Sequence, residues 1–292
     1  MTATEEPHKG LDSTTGVAPG GDPSVTALPA EKLKARRRAR FYRNGRVVLW
    51  QAGILAGFFV FWEIATSADR QTAFLFGSPS AIFSFLVQMW ADGSLFRDTY
   101  VTGLETMLGF VLGNLLGTMI GLSLWYSSFV ARVAHPFIVA LGSIPIIALA
   151  PIVIIWFGTG LASKVAMATM SVVVVAIVTS YKGALNVDPD QINMMRTLGA
   201  GKSVIFRRLV VPSAVSDIFS GLRMTVGFAL IGAIIGEFMS SSEGLGHAIF
   251  KAGSLYNIPK VFAALVATIA LALFLTWLVG LVERKLTPWK QN

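Results

Sequence analysis

Six apolar runs dominate this chain, and each is long enough to cross the hydrocarbon core of a bilayer. A spanning helix needs roughly 20 apolar residues. The runs lie at about 47–65, 101–125, 134–157, 161–181, 214–239 and 261–282. With 54% hydrophobic and 14% charged residues, the chain also has too few charges for an ordinary globular surface. We therefore predict an all-α polytopic membrane protein with six transmembrane helices.

The basic residues gather on one side of these spans. Cytoplasmic loops retain an excess of Lys and Arg, so that side is predicted to be the cytoplasm. Its basic residues are Lys32, Lys34, Arg36, Arg37, Arg38, Arg40, Arg43, Arg46, Arg132, Lys182, Arg196, Lys202, Arg207, Arg208, Arg284, Lys285 and Lys290. The outer side has Arg70, Arg97, Lys164, Lys251 and Lys260. Both termini are predicted to be cytoplasmic, with longer outer loops at 66–100 and 240–260.

Composition also separates a tail from the membrane domain. Residues 1–45 are predicted to be a disordered basic tail, since the first thirty lack an apolar run that could serve as a signal peptide. Residues 46–289 are predicted to form the membrane domain. Because the chain has no cysteine and its 3 histidines are far apart, neither a metal centre nor a cofactor is predicted. Its arginines flank a span, so no nucleic-acid partner is predicted.

One basic segment, residues 182–212, interrupts the apolar runs and has clear helix punctuation. Asp188 can cap a helix that starts at Pro189, and Gly199 can end it in the left-handed conformation. A second short run follows, and Pro212 is expected to stop its hydrogen-bond ladder. We predict a folded cytoplasmic surface on which another protein docks.

The run from Gly199 to Ser203 ends in Gly-Lys-Ser, as a nucleotide-binding P-loop does. That motif also needs a glycine five residues before Gly201, where Arg196 stands, and a strand before the loop. The preceding residues instead read as a helix. We therefore predict that this chain binds no ATP and performs no covalent chemistry.

The second span carries a stripe of glycines at every fourth position, which are Gly109, Gly113, Gly117 and Gly121. Such a stripe lets two helix backbones approach closely. The partner is either another helix of the same subunit, which we favour, or a second copy of the chain.

The third span contains Pro145 and Pro151, which must kink or interrupt it. A broken helix inside a membrane often lines a solute pathway, because its freed carbonyls need polar surroundings. We predict that Ser143 and the two prolines line such a pathway. A purely structural kink is the alternative.

The fifth span holds two ionisable residues, Arg223 and Glu237. Charged groups inside spans are costly, so each is a functional candidate. Arg223 could attract an anion, and both are candidate pathway residues. The alternative is pairing with other helices. Glu63 and Glu105, near span ends, are expected to reach the interface.

The spacing from Gly199 to Leu209-Val-Val-Pro212 resembles the loop signature of ABC-importer permeases. In that signature Glu-Ala-Ala, three residues, Gly and nine residues precede Ile-x-Leu-Pro. The resemblance extends over about 75–289 and is closest to the nitrate, sulfonate and taurine branch. Further matching segments are Gly77-Ser78-Pro79, Ile144-Pro145 to Phe157-Gly158, Gly221-Leu222-Arg223, Gly236-Glu237-Phe238 and Ser242-Glu243-Gly244-Leu245-Gly246.

The resemblance implies a type I importer permease in a bacterial inner membrane, working as a dimer, with a homodimer expected. Its partners would be a cytoplasmic ABC ATPase dimer, a periplasmic or lipoprotein solute-binding protein and membrane lipid. The implied ATPase-coupling residues are Asn193, Met194, Met195, Arg196, Gly199, Ala200 and Pro212. The first three replace the usual Glu-Ala-Ala, so the expected ion pair to the ATPase is missing.

The implied solute is a small anion such as a sulfonate, taurine or nitrate. The Met-Met-Arg-Thr-Leu-Gly form and the Gly-Glu-Phe run also resemble permeases for thiamine-pyrimidine precursors or riboflavin. An ion-driven secondary transporter would instead predict carboxylates near the membrane midplane and an inverted repeat. A membrane-embedded enzyme would need clustered acid–base or ligand residues.

Overall fold

Helices make up nearly all of the structure described for this chain, a computed structural model that covers residues 30–286. The helices are α1 Ala30–Ala68, α2 Arg70–Phe76, α3 Pro79–Ala91, α4 Ser94–Ser123, α5 Ser128–Ser143, α6 Ile146–Phe157, α7 Leu161–Leu185, α8 Pro189–Thr197, α9 Lys202–Ile205, α10 Val211–Ser240, α11 Leu245–Ser254 and α12 Ile258–Leu286. A 3₁₀ turn, Leu124–Tyr126, joins α4 to α5, and a π-helix, Phe206–Val210, joins α9 to α10. The chain divides into two units after Phe58, and the packing below is that of the second.

Within the described residues, five helical segments are long and apolar enough to cross a membrane. They are Val47–Ala68, Ser94–Tyr126, Leu161–Leu185, Lys202–Ser240 and Ile258–Lys285. A sixth crossing requires α5 and α6 to count as one span, although they meet at 93°. The break falls where Pro145 forces Ile144 out of the helical region, to φ −74° and ψ 122°. Pro151 stays inside α6.

α7 is the central helix of the second unit and packs against both α4 and α10, which also contact each other. The core contains Val172 and Ala176 of α7, Phe110 of α4 and Leu230 of α10, and α12 adds further apolar residues. Small residues bring these helices close together. The glycine stripe of α4 faces α7 of the same subunit, where Ala168, Val172 and Ala176 meet it.

Three features differ from the sequence-based expectations. The segment predicted to be a disordered tail, residues 1–45, is helical from Ala30 onward, because residues 30–45 are rich in the strong helix formers Ala, Leu, Lys and Arg. Residues 1–29 lie outside the described residues. The outer segments 66–100 and 240–260 are not simple loops, since α2, α3 and α11 lie in them. Ser78 and Pro79 start α3 in the usual way, with a side-chain cap and a first-turn proline.

The third difference is that Pro212 does not stop the helix. The chain stays helical from Lys202 to Ser240, because the π-helix before the proline widens the turn. Its last hydrogen bond runs from the Val211 N–H to the Phe206 carbonyl, five residues back. Pro212 then occupies the first turn of α10, where a missing N–H is tolerated.

Candidate functional site: the coupling loop and the polar outer cluster

Residues 182–212, for which the resemblance implies ATPase coupling, are called the coupling loop below, and the loop is held together by its own helix caps. The Asp188 side chain accepts a 2.9 Å hydrogen bond from the Asp190 N–H at the start of α8. At its end Gly199 has φ +80°, and the Gly199 N–H donates to the Arg196 carbonyl while the Ala200 N–H donates to the Met195 carbonyl, both at 2.9 Å. These two bonds form a Schellman motif, so the predicted ends of α8 are confirmed.

The two methionines of α8 point in different directions. Met194 is 65% exposed, and Leu198 beside the helix end is 74% exposed. Met195 instead packs with Ala200 against a small core that contains Ile205 and Val210. One face of α8 is therefore fixed to the subunit, while the other presents apolar side chains outward with Asn193 and Arg196, which are also exposed.

The predicted pathway residues lie in three different settings. Ser143, Pro145 and Pro151 are exposed along α5 and α6. A mostly apolar cavity of about 430 Å³ lies beside the break between these helices, bounded by α7 and α10 and lined by Gly142, Met170, Ser171 and Phe228 among others. The break between α5 and α6 and this cavity are thus close together in space.

Arg223 is half exposed, but its charge is paired. Its Nη2 lies 2.7 Å from Oε2 of Glu283 on α12, and the side chain of Glu283 is 14% exposed. The pairing with another helix that the sequence left open is therefore present. An anion that meets Arg223 must compete with this carboxylate.

Glu237 is fully enclosed, with 0% exposure, so in this structure it lies on no open pathway. Its Oε1 accepts a 2.6 Å hydrogen bond from the Thr102 hydroxyl, and its Oε2 accepts a 2.5 Å bond from the Gly246 N–H. A buried carboxylate needs such donors, because burying an unpaired charge is costly. The structural alternative describes Glu237 better than the pathway prediction does.

The same network ties down the segment between α10 and α11. The Leu245 N–H donates to the Thr102 hydroxyl at 2.8 Å, and the Gly244 N–H donates to the buried Asp98 at 3.2 Å. Three successive backbone donors, from Gly244 to Gly246, are therefore held by α4 and α10. We call Asp98, Thr102, Glu105, Glu237 and residues 244–246 the polar outer cluster.

Glycine is required in this cluster because the carboxylate lies against the backbone. A Cβ built on Gly246 would lie 2.9 Å from Cβ of Glu237, and one on Gly244 would lie 2.5 Å from its Cδ. The Gly244 φ of +104° adds a conformational requirement. These contacts give a physical reason for the glycines of Gly244-Leu245-Gly246, a segment that matches the permease pattern in the sequence.

Sequence reasoning missed most of this cluster. Glu105 was expected at the interface, but it is 3% exposed and interacts with Glu237 and with Lys164 of α7, itself 4% exposed. Asp98 and Thr102 were not singled out. The spacing of 98, 102 and 105 places their side chains on one helix face, and that periodicity could have indicated a shared polar surface.

We expect Thr102→Val to destabilise the folded protein by about 2 kcal/mol, because it leaves a buried carboxylate oxygen and a buried backbone N–H without their partner. The shapes of the two side chains are alike, so packing changes little. Thermal unfolding of the purified protein in detergent would measure the loss. Thr276→Val is the matched control, since Thr276 is exposed and its hydroxyl bonds only within α12. Equal melting temperatures for both variants would contradict the network.

The fold and these sites define a class: a helical membrane protein with a broken span and a short, exposed helix, α8, between two spans. Residues 113–288 match the family model described as binding-protein-dependent transport system inner membrane component. The chain belongs to that family and is an ABC importer permease, a transport component rather than a catalytic one. Permeases of this family work with an ATPase and a binding protein, so an ion-driven carrier is excluded.

Several relatives align with most of this chain. It is 31% identical to the formylaminopyrimidine transport permease ThiX of Halalkalibacterium halodurans, covering 80% of this chain and 92% of that one. It is 30% identical to the riboflavin permease RibX of Chloroflexus aurantiacus, covering 80% and 87%. The putative aliphatic sulfonates permease SsuC of Bacillus subtilis is 26% identical, covering 94% and 97%.

A solved structure supports the fold independently. A chain of the methionine ABC transporter MetNI, crystallised in inward-facing conformations, superposes with a TM-score of 0.60. The match covers 70% of this chain and 98% of that one at 19% identity. The predicted all-α fold of an ABC-importer permease is confirmed, with five to six candidate spans where six were predicted.

Proposed function

We propose that the coupling loop is the surface on which the importer's ATPase docks. The observation that carries this proposal is the two-sided character of α8, which is anchored through Met195 and Ala200 and exposed through Met194. A docked protein would meet apolar side chains and Arg196 rather than a carboxylate, since Asn193 stands at the Glu position. Shape and apolar contact then replace the family's ion pair.

Replacing Met194 tests this docking surface directly. We expect Met194→Asp to abolish co-purification of the ATPase with the permease, because it puts a charge into an apolar contact. Met194→Leu is the matched control and should retain the ATPase, since it keeps an apolar side chain of similar volume. Full retention by the aspartate variant would show that α8 is not the docking surface.

The remaining features of the importer complete the proposal. We propose a homodimer with cytoplasmic termini, fed from outside by a solute-binding protein, that moves solute by alternating access. Ser143, Pro145 and Pro151, which are exposed at the break between α5 and α6, are proposed pathway residues, and so is the half-exposed Arg223 on α10. Glu237 is left out, since it is enclosed.

We propose a small anion, such as a sulfonate, taurine or nitrate, as the solute. Permeases named for aliphatic sulfonates and for taurine align over 94% and 91% of this chain. Three of the basic residues assigned to the outer side, Arg97, Lys251 and Lys260, also line one pocket of about 230 Å³. Asp92 and Asp98 offset part of that charge, and hydrogen bonding to Ser94 lowers the pKa of Asp92, so it stays ionised.

A nitrogen heterocycle is the second candidate, favoured by the higher identity to ThiX and RibX. Thermal-shift measurements on the cognate solute-binding protein separate the two. Stabilisation by taurine, an alkanesulfonate or nitrate would support the anion. Stabilisation by formylaminopyrimidine or riboflavin alone would replace it.

A further inference from the structure

Lys202, the lysine of the Gly-Lys-Ser run, contacts a distant part of the chain. Its ammonium group donates to the Tyr126 carbonyl, in the 3₁₀ turn between α4 and α5. The same Nζ lies 5.8 Å from the ring centroid of Trp125 and 6.0 Å from that of Tyr126. One side chain therefore combines a hydrogen bond with two cation–π contacts.

The aromatic rings form a continuous contact across the same junction. Phe206, the first residue of the π-helix, lies 4.7 Å from Tyr126 and 5.7 Å from Trp125 between ring centroids. Trp125 and Phe206 also join the small core that holds Met195 and Ala200. The turn at 124–126 thus packs against the part of the coupling loop that anchors α8.

A lysine suits this position for electrostatic reasons. α4 ends at Ser123, and the C-terminal end of its helix dipole gives the following turn a partial negative charge that favours a cation. The aromatic faces beside it have the same preference. The ammonium of Lys202 therefore lies at the end of α4, where a cation is favoured. The same partial negative charge would repel a nucleotide phosphate.

We infer that Lys202 is a positioning residue that fastens the coupling loop to the α4–α5 turn. This inference rests on the proposed function of the loop. The loop is covalently continuous with α7 and α10, and α5 packs directly on α7 as well as following the turn at 124–126. Lys202 adds a second route by which ATPase movement reaches α5, and hence the break at Pro145.

The test uses the complete importer, reconstituted in liposomes with its ATPase and binding protein. Lys202→Met keeps the unbranched apolar stem and removes the ammonium group. We expect normal ATPase retention, but about two- to fivefold less solute transported per ATP hydrolysed, the fold-change of one lost exposed cation–π contact. Lys202→Arg should restore the ratio, because the guanidinium also binds aromatic faces.

The control variant is Lys285→Met, which removes one positive charge from an exposed site at the end of α12. Lys285 has no cation–π contact among the described residues, so its ratio should match the unmodified importer. An unchanged ratio in Lys202→Met would overturn the inference, and so would loss of the ATPase from that variant, which would make Lys202 a docking residue. Failure of the docking proposal itself would show separately, as ATPase retention by Met194→Asp.

A distance measurement checks the fastening without relying on transport. The chain has no cysteine, so Ser128→Cys on α5 and Gln191→Cys on α8 can carry spin labels without background. Both positions are exposed. Adding Lys202→Met to this pair should broaden the label-to-label distance distribution in the assembled importer. An unchanged distribution would overturn the inference even if transport is altered.

Discussion

Gly117→Ala is expected to destabilise this permease by about 3 kcal/mol, because α4 and α7 are too close together for an added methyl group. A Cβ on Gly117 would lie 2.5 Å from Cβ of Ala176 and 2.6 Å from the Val173 carbonyl oxygen. A backbone oxygen cannot turn aside as a flexible side chain can, so the helices themselves must separate. Thermal unfolding in detergent, together with the folded fraction in membranes, measures the effect.

Gly227→Ala provides the matched control for this substitution. Gly227 also lies within a spanning helix, α10, but an added Cβ there would meet nothing within 4 Å. Its replacement should leave stability within about 1 kcal/mol, or raise it slightly by restricting the unfolded chain. If the two alanine variants unfold at the same temperature, α4 and α7 do not pack at the distance described.

Gly199→Val is expected to reduce ATPase retention and transport about tenfold, through backbone strain rather than a clash. A β-branched residue resists the φ of +80° that closes the Schellman motif, although a Cβ would have open space around it. The end of α8 would then shift and carry Met194 with it. Pull-down of the ATPase and ATP-driven uptake in liposomes are the measurements.

Gly201→Val separates conformation from bulk in this experiment. Gly201 is two residues away and equally open, but its φ of −70° and ψ of 162° suit any residue. We expect normal folding and near-normal transport for this variant. Equal losses from both valine variants would mean that added size, and not the left-handed turn, damages the loop.

The sequence was most informative where local chemistry decides the structure. Asp188, Pro189 and Gly199 mark both ends of α8, since capping and left-handed conformation depend on the residues themselves. The glycine stripe indicated close helix packing for the same reason. The identity of its partner needed the fold, because a stripe of small residues fits α7 or a second copy equally well.

Residues whose role depends on distant partners were harder to predict. Glu237 looks like a pathway charge in isolation and becomes structural only beside Thr102 and Gly246. Lys202 resembles part of an incomplete nucleotide-binding motif in the sequence, and its cation–π contact with Trp125 is visible only in the fold. The prediction for Pro212 was wrong because the π-helix before it depends on the packing of Phe206 and Val210. Local helix propensities do not indicate that packing.

The unbroken helical path from Lys202 to Ser240 has a mechanical consequence. At about 1.5 Å per residue, its 39 residues make a rod of about 58 Å. One end lies in the coupling loop, and near the other end Glu237 accepts a hydrogen bond from the Gly246 N–H. If the ATPase docks on the coupling loop as proposed, a tilt of this rod strains the Glu237–Gly246 hydrogen bond at its opposite end, so that residues 244–246 loosen when the ATPase moves.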